Sequence, residues 1–450
     1  MAPLRRRTAL TAISTTTAAA LAGCTDLLSS DTDEEGEDVD TDKLEDAAAT
    51  FVDDLANGRF EDIREQFVPE MKSQYASLGQ LEQTWMGYTA IGSEFEEIVD
   101  TSVTEREGTY TARVSMAFER GDHDLLLAMN EEYQYGEYIP GDEYERPAYV
   151  DPDAVSETEV TLETEMDGCS LSGLVTTPAD AEGEVPGVVL VHDAGRVTMD
   201  SETRATQLFR DLAEGLATRD IATVRYNKRT LECELEDDEY GIDNVAVDDA
   251  LAAADELRDV DGVDADRLVV VGHGLGGLAA PRIADRDGGL AGVIGLAAPA
   301  RSFAEVVLEQ AEHQATVGDY EWETRAERVD EWSDQIDRIT EGEYDADDLL
   351  VGYYGSLWNS LAEYDQVAVA SSLEVPTYFL QGDRDTRATV EDDLERWASE
   401  LEGDSSVEVY DGLNHAFMPG EGPVVPFEYD LQNNADERVV DDIVAWIDEL

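Results

Sequence analysis

The chain has 450 residues, 105 acidic against 30 basic, with a formal net charge of −75. At roughly 100–200 residues per domain, this length predicts two to three domains. The 42% of hydrophobic residues is enough for a large core and excludes wholesale disorder, and the negative charge excludes a nucleic-acid partner because it repels phosphate backbones. The acids are spread along the chain, which fits a salt-in halophile whose surface carboxylates are screened at molar salt.

Residues 1–24 stand apart. They contain no acid, and their only charges are Arg5, Arg6 and Arg7. A short Thr- and Ala-rich apolar stretch follows, the shape of a secretory signal and too short to span a bilayer. The paired arginines resemble a twin-arginine export signal. Leu21-Ala22-Gly23-Cys24 resembles a lipobox, which implies cleavage before Cys24 and a lipid on its sulfur. The expected location is the outer face of the cytoplasmic membrane, held there by that lipid. Residues 25–42 are acidic, almost without apolar side chains, and predict a disordered tether. Two further cysteines, Cys169 and Cys233, match no metal-ligand spacing. Outside the membrane a disulfide is permissible, but two separate, semi-buried thiols are the expectation. With five histidines in the chain, no metal site and no cofactor is expected.

Residues 43–140 predict a small α+β domain. Leu44, Ala47, Ala48, Phe51, Val52 and Leu55 recur at helical spacing, and a second helix surrounds Leu78, Leu81 and Trp85. Alternation then replaces that period over 110–118 and 124–129, predicting a strand meander. Helices before a meander resemble the cone-shaped domain of nuclear-transport-factor type that precedes some secreted hydrolases. Its expected role is packing, a small pocket or oligomerisation, and His123 reads as a turn residue. Residues 141–155, rich in Pro, Gly, Tyr and acids, predict a linker.

From 156 to 450 the rhythm becomes a strand hairpin and then strand–helix alternation. Apolar strands are expected at 187–191, 221–226, 268–271, 290–296, 375–380 and 406–410, with a helical insert at 303–365. Apolar strands between amphipathic helices predict a mainly parallel sheet covered on both faces, with the chemistry at the carboxyl ends of its strands.

Four of those strand ends carry telling residues. Gly272-His273-Gly274-Leu275-Gly276-Gly277 has the strand–turn–helix context of a nucleophile elbow, with Gly274 where the nucleophile would stand. Gln381-Gly382-Asp383-Arg384-Asp385 and Leu413-Asn414-His415-Ala416-Phe417 follow two later strands, and His192-Asp193-Ala194-Gly195 follows the first parallel one. The order nucleophile, Asp, His resembles the α/β-hydrolase superfamily, near secreted esterases and dienelactone-hydrolase-like proteins. The resemblance covers about two-thirds of the chain. It implies an α/β-hydrolase fold with a mainly parallel sheet and helical insert behind a small α+β domain. By position, Asp385 would orient His415 as the general base, with Asp383 the rival carboxylate. Backbone amides of Leu275 and of Asp193 or Ala194 would form the oxyanion hole. His273 and His192 read as packing and loop-structuring residues, and His313 as solvated. Trp322, Trp332 and Trp358 read as lid or core.

Gly274 departs from that pattern, since it leaves His415 no hydroxyl or thiol to deprotonate. No serine occurs between Ser201 and Ser302 to substitute. One reading is a dead site in which glycine relaxes a strained turn. Another is a water in the vacated space, activated by His415, and a third is a nucleophile from the insert. Asp193 beside the oxyanion position would disfavour developing negative charge. The leading expectation is therefore a pocket without a nucleophile that binds a small acyl or ester-like ligand, with an active carboxylic-ester hydrolase as the alternative.

Overall fold

The computed structural model describes residues 39–450 apart from 107, 167, 182 and 402. The signal, Cys24 and most of the tether lie outside the described residues. Residues 41 and 42, assigned to the tether, already belong to helix α1 (Thr41–Ala56). The stripe Leu44, Ala48, Phe51, Val52 and Leu55 carries the helical period back to them, and Asp42 sits favourably in the first turn. Helices α2 (Phe60–Gln66) and α3 (Leu78–Gly92) follow, the latter capped by Ser77.

Strands β1 (Phe95–Arg106), β2 (Thr109–Phe118), β3 (Gly121–Met129) and β4 (Tyr135–Pro140) form an antiparallel meander in sequence order. Strand β2 buries Ala112, Val114, Met116 and Phe118 at period two against α1. His123 is a strand residue, not a turn residue. It is buried in β3, with Nδ1 2.6 Å from Asp142 Oδ2. The following segment packs down as well: the Tyr144 hydroxyl donates to Asp211, and Arg146 pairs with Glu214, both acids on helix α4 (Leu208–Ala217).

The second domain is built on an eight-stranded sheet. Its strands are β5 (Val155–Glu163), β6 (Ser170–Pro178), β7 (Val185–Val191), β8 (Ala222–Tyr226), β9 (Val263–His273), β10 (Gly292–Leu296), β11 (Thr377–Gly382) and β12 (Ser405–Tyr410). The order is β12-β11-β10-β9-β7-β8-β6-β5. Strands β5 and β6 pair antiparallel at one edge, and β7 to β12 are mutually parallel. Every residue of β7 is buried, the continuous apolar run expected of a strand covered on both faces. Helix α5 (Asp248–Arg258) and helix α6 (Leu275–Asp287) cover one face, and α4 with the carboxyl-terminal helix (Glu437–Asp448) covers the other.

Cys169 and Cys233, expected as separate thiols, are joined in a disulfide with Cα atoms 5.7 Å apart. Cys169 immediately precedes β6, and Cys233 ends the short helix after β8. The antiparallel pairing of β6 with β8 brings those two ends together.

The insert supplies helices α7 (Phe303–Thr316) and α8 (Glu323–Glu341). Their connecting turn is gripped by the first domain. The buried Gln83 on α3 donates to the carbonyls of Gln314 and Val317 at 3.0 and 3.1 Å. The Glu82 carboxylate accepts from the amides of Asp319 and Tyr320. A Cβ at Gly79 would lie 2.7 Å from the backbone of residues 320–322, so α3 and this turn meet at backbone contact.

Candidate active site

The residues singled out in the sequence come from four loops at the carboxyl ends of β7, β9, β11 and β12, with the strand-order reversal between β7 and β9. The turn after β9 is sharp. Gly274 has φ 54° and ψ −117°, a left-handed backbone that favours glycine. Its neighbours are tightly packed: a Cβ at Gly276 would lie 2.2 Å from the Val191 carbonyl oxygen. The elbow geometry is therefore present without a side chain at its tip.

The space beside Gly274 is filled. A Cβ built there would lie 2.2 Å from Asp193 Oδ1 and 2.4 Å from Asp193 Cγ. The Asp193 carboxylate turns in from the loop after β7, 20% exposed. Its Oδ1 accepts from the Leu275 amide at 2.8 Å. Its Oδ2 lies 3.2 Å from Arg387 Nη1 and 3.4 Å from His415 Nε2. The Leu275 amide, expected as an oxyanion donor, is thus engaged by a carboxylate of the chain itself. The reason is electrostatic: an amide at the start of α6 attracts the nearest anion, and that anion is Asp193. Lys228 holds the loop by donating to the Asp193 carbonyl. Burial lowers the Lys228 ammonium to about 8. Ala194 lines the cavity described below.

His415 and Asp385 are in contact. His415 Nδ1 lies 2.8 Å from Asp385 Oδ2, and both side chains are almost fully buried. Asp385 is fixed in turn by Gln381 Nε2 at 2.7 Å and by the Arg387 amide at 2.7 Å. The rival Asp383 accepts from the Gly412 amide at 2.8 Å and ties the loop after β11 to the turn after β12. Burial pushes the His415 imidazole down, but the Asp385 carboxylate, helped by Asp193, overcomes this and raises it. Burial pushes Asp193 up, but the His415 contact outweighs it and holds the carboxyl well below its usual range. Each imidazole nitrogen faces a carboxylate oxygen, which is acceptor-only when ionised, so the arrangement favours imidazolium with both nitrogens donating.

The other histidines are structural. His273 Nε2 lies 2.9 Å from the His415 carbonyl and supports its loop. Burial lowers it to about 4. His192 is buried between Phe209 and Tyr226, and burial lowers it to about 3. His313 is not simply solvated: its Nε2 lies 2.7 Å from the Val424 carbonyl and ties α7 to the loop that follows His415. Asp193, His273 and His415 offer ligand atoms within 4.8 Å of one another. The Asp193 carboxylate there already has Leu275 and Arg387 as partners, and the Arg387 cation stands beside it.

Above these residues lies a cavity of about 340 Å³. Its floor is Asp193, Gly274, His415 and Arg387, and its walls include Phe303, Val306, Val307, Trp332 and Tyr353. Trp332 is therefore a wall residue. Trp358 is buried in the core and donates to the Leu350 carbonyl, and Trp322 stacks on Arg325. The sequence reading passed over Arg387, Arg325 and Arg328, which all reach the cavity. Arg387 could have been noticed, because it follows Asp385 by two residues in a strand-end loop.

Fold and site together define an α/β-hydrolase architecture. Residues 188–426, more than half of the chain, match the alpha/beta hydrolase family, and the chain belongs to it. Esterase EstD of Thermotoga maritima is 30% identical over 406 residues, covering 89% of this chain and 94% of that protein. Residues 48–135 match a family described as a protein of unknown function, DUF3887. Among solved structures, Est1E from Butyrivibrio proteoclasticus is similar at 14% identity and a TM-score of 0.42, over 65% of this chain and 98% of that one. A puromycin hydrolase is similar at 16% identity and a TM-score of 0.43, over 80% of this chain. This chain spans 47% of that hydrolase's length.

Proposed function

We propose that this protein is an exported, lipid-anchored member of the α/β-hydrolase family that holds a small acyl or ester-like ligand without hydrolysing it. The observation that carries the reading is the Asp193 carboxylate, which occupies the nucleophile's space beside Gly274 and accepts from the Leu275 amide. Acyl transfer needs a nucleophile, a base with a free lone pair, and amides open to the oxyanion. Gly274 supplies no nucleophile. The His415 Nε2 that a base would use faces the Asp193 carboxylate instead of a nucleophile. The Leu275 amide already binds an anion, and a second one on the substrate would be repelled by the first. The cavity persists regardless, apolar on its walls and polar on its floor, as a ligand site requires. Anchoring through Cys24 to the outer membrane face rests on the lipobox-like Leu21-Ala22-Gly23-Cys24 and the arginines before it.

One observation favours a second reading, an active carboxylic-ester hydrolase: the 30% identical relative is an esterase. Binding of p-nitrophenyl butyrate to the purified protein in molar potassium chloride separates the two. Saturable quenching of Trp332 fluorescence without p-nitrophenol release is expected, with Trp332→Phe identifying the signal. Turnover, or a stoichiometric burst of p-nitrophenol, would establish the second reading.

A further inference from the structure

Acids outnumber bases 105 to 30 in this chain, yet the cavity carries three arginines and one carboxylate. Arg387 is paired with that carboxylate, Asp193, at 3.2 Å. Arg325 and Arg328, three residues apart on α8 and so on neighbouring positions of one face, have no carboxylate partner among the described residues; Arg325 is half-buried and Arg328 exposed. Several other shielded arginines do have such a partner, although the half-buried Arg267 donates to the Ile447 carbonyl instead. Arg225 pairs with Asp200 at 2.8 Å, Arg229 with Asp249 at 2.5 Å, Arg301 with Asp393 at 3.2 Å and Arg384 with Glu428 at 3.0 Å. Among the described residues Arg325 has no carboxylate partner. Its guanidinium meets the neutral Gln314 side-chain oxygen and lies 4.0 Å from the Trp322 ring centroid. Burial, with Arg328 adding to it, pushes Arg325 down to about 10, still charged at neutral pH. A partly buried cation without a counter-ion is costly. In a chain so rich in acids, its isolation at a cavity rim marks a place for an external anion.

We propose that the cavity binds an organic monoanion, an apolar acyl or aryl body bearing one carboxylate, with that carboxylate on Arg325 and Arg328. The inference rests on the ligand-holding reading above and specifies its ligand. The orientation follows from the charges at the two ends. The floor holds Asp193, neutralised by Arg387 and His415, and offers an incoming anion no unshared cation. The α8 rim offers two. Between them Phe303, Val306, Val307 and Trp332 provide the apolar wall that an acyl or aryl body needs. A guanidinium fork matches a carboxylate in bidentate geometry, and a partly buried pair is screened by salt far less than an exposed one.

The test is equilibrium binding to the purified protein in molar potassium chloride, with octanoate, methyl octanoate and octyl phosphate as probes. Octanoate is expected to bind about tenfold or more tightly than its methyl ester, a difference of about 1.4 kcal/mol. Arg325→Gln/Arg328→Gln is expected to bring octanoate down to the affinity of the ester, and Arg325→Lys to retain part of the preference. Circular dichroism and the melting temperature of each variant establish that it is folded, and Arg325→Lys carries the test where the double variant is not. Equal affinity for octanoate and methyl octanoate, unchanged by the substitutions, would overturn the charge assignment and leave the ligand-holding reading standing. Octyl phosphate binding about tenfold more tightly than octanoate would overturn the carboxylate in favour of a phosphate ester. Binding of none of the three would overturn this inference and the ligand-holding reading together.

Discussion

Placing a serine at Gly274 alone should fail to create a working site, because of Asp193. In Gly274→Ser the new Cβ would lie 2.2 Å from Asp193 Oδ1, so the carboxylate must leave. Leaving breaks its contacts with the Leu275 amide, Arg387 and His415. Hydrogen bonds to charged groups contribute about 1.5–3 kcal/mol each. A non-glycine residue at φ 54° adds about 1–3 kcal/mol of strain. Gly274→Ser is therefore expected to melt well below the parent and to gain little esterase activity, because the displaced Asp193 carboxylate stays tethered beside the oxyanion position and repels developing negative charge. Asp193→Gly/Gly274→Ser removes the collision, frees the Leu275 amide and leaves His415 Nε2 facing a hydroxyl. Losing a triad nucleophile costs on the order of a million-fold and losing one oxyanion donor about 10²–10³-fold. The serine is common to both variants, so the double variant should hydrolyse p-nitrophenyl butyrate about 10²–10³-fold faster than Gly274→Ser. The assay is initial rate in molar potassium chloride, beside the melting temperature of each protein. Equal activity in the single and double variants would refute the blocking role of Asp193.

Three further outcomes follow from the same geometry. The His415–Asp193 contact should give a stability plateau in mildly acidic solution. The raised imidazole contributes fully below its unfolded value of about 6.5 and is lost as pH rises through the folded one. The depressed carboxyl contributes above its unfolded value of about 3.9 and is lost as pH falls further. Melting temperature against pH should show both limbs in the parent and a weakened pair in Asp193→Asn; identical profiles would contradict the ion pair. Reducing the Cys169–Cys233 disulfide, which closes a separation of 64 residues, should cost about 4 kcal/mol in chemical unfolding, and no loss would contradict that constraint. Gln83→Ala leaves the part-buried Gln314 carbonyl and the buried Val317 carbonyl without this donor. Its expected cost is about 1–3 kcal/mol for an unsatisfied group, with weaker binding in the cavity. Unchanged affinity would show that α3 does not position the α7–α8 turn.

The strand ends were legible because their neighbours are unambiguous. Strand β7 is buried along its whole length, so it reads as an apolar run ending at His192. The glycines around Gly274 announce a turn too tight for side chains. Other features depend on directions that sequence does not encode. Asp193 stands one residue past His192, and nothing in the sequence says that its carboxylate turns toward Gly274. That choice depends on the Leu275 amide and Arg387, which are 82 and 194 positions away in the chain. Arg325 and Arg328 lie on α8 beside a stripe of Val329, Trp332, Ile336 and Ile339, but nothing in the sequence says that a cavity lies under that stripe. The Cys169–Cys233 pair depends on β6 lying next to β8, a matter of topology and not of spacing.

The most direct test of the account is the rate at which the parent protein hydrolyses p-nitrophenyl butyrate in molar potassium chloride, measured beside His415→Ala. A site that holds its ligand without hydrolysing it gives no turnover above buffer in the parent and no difference between the two. Turnover in the parent that disappears in His415→Ala would contradict it, because His415 would then be a working base despite the two carboxylates that face it.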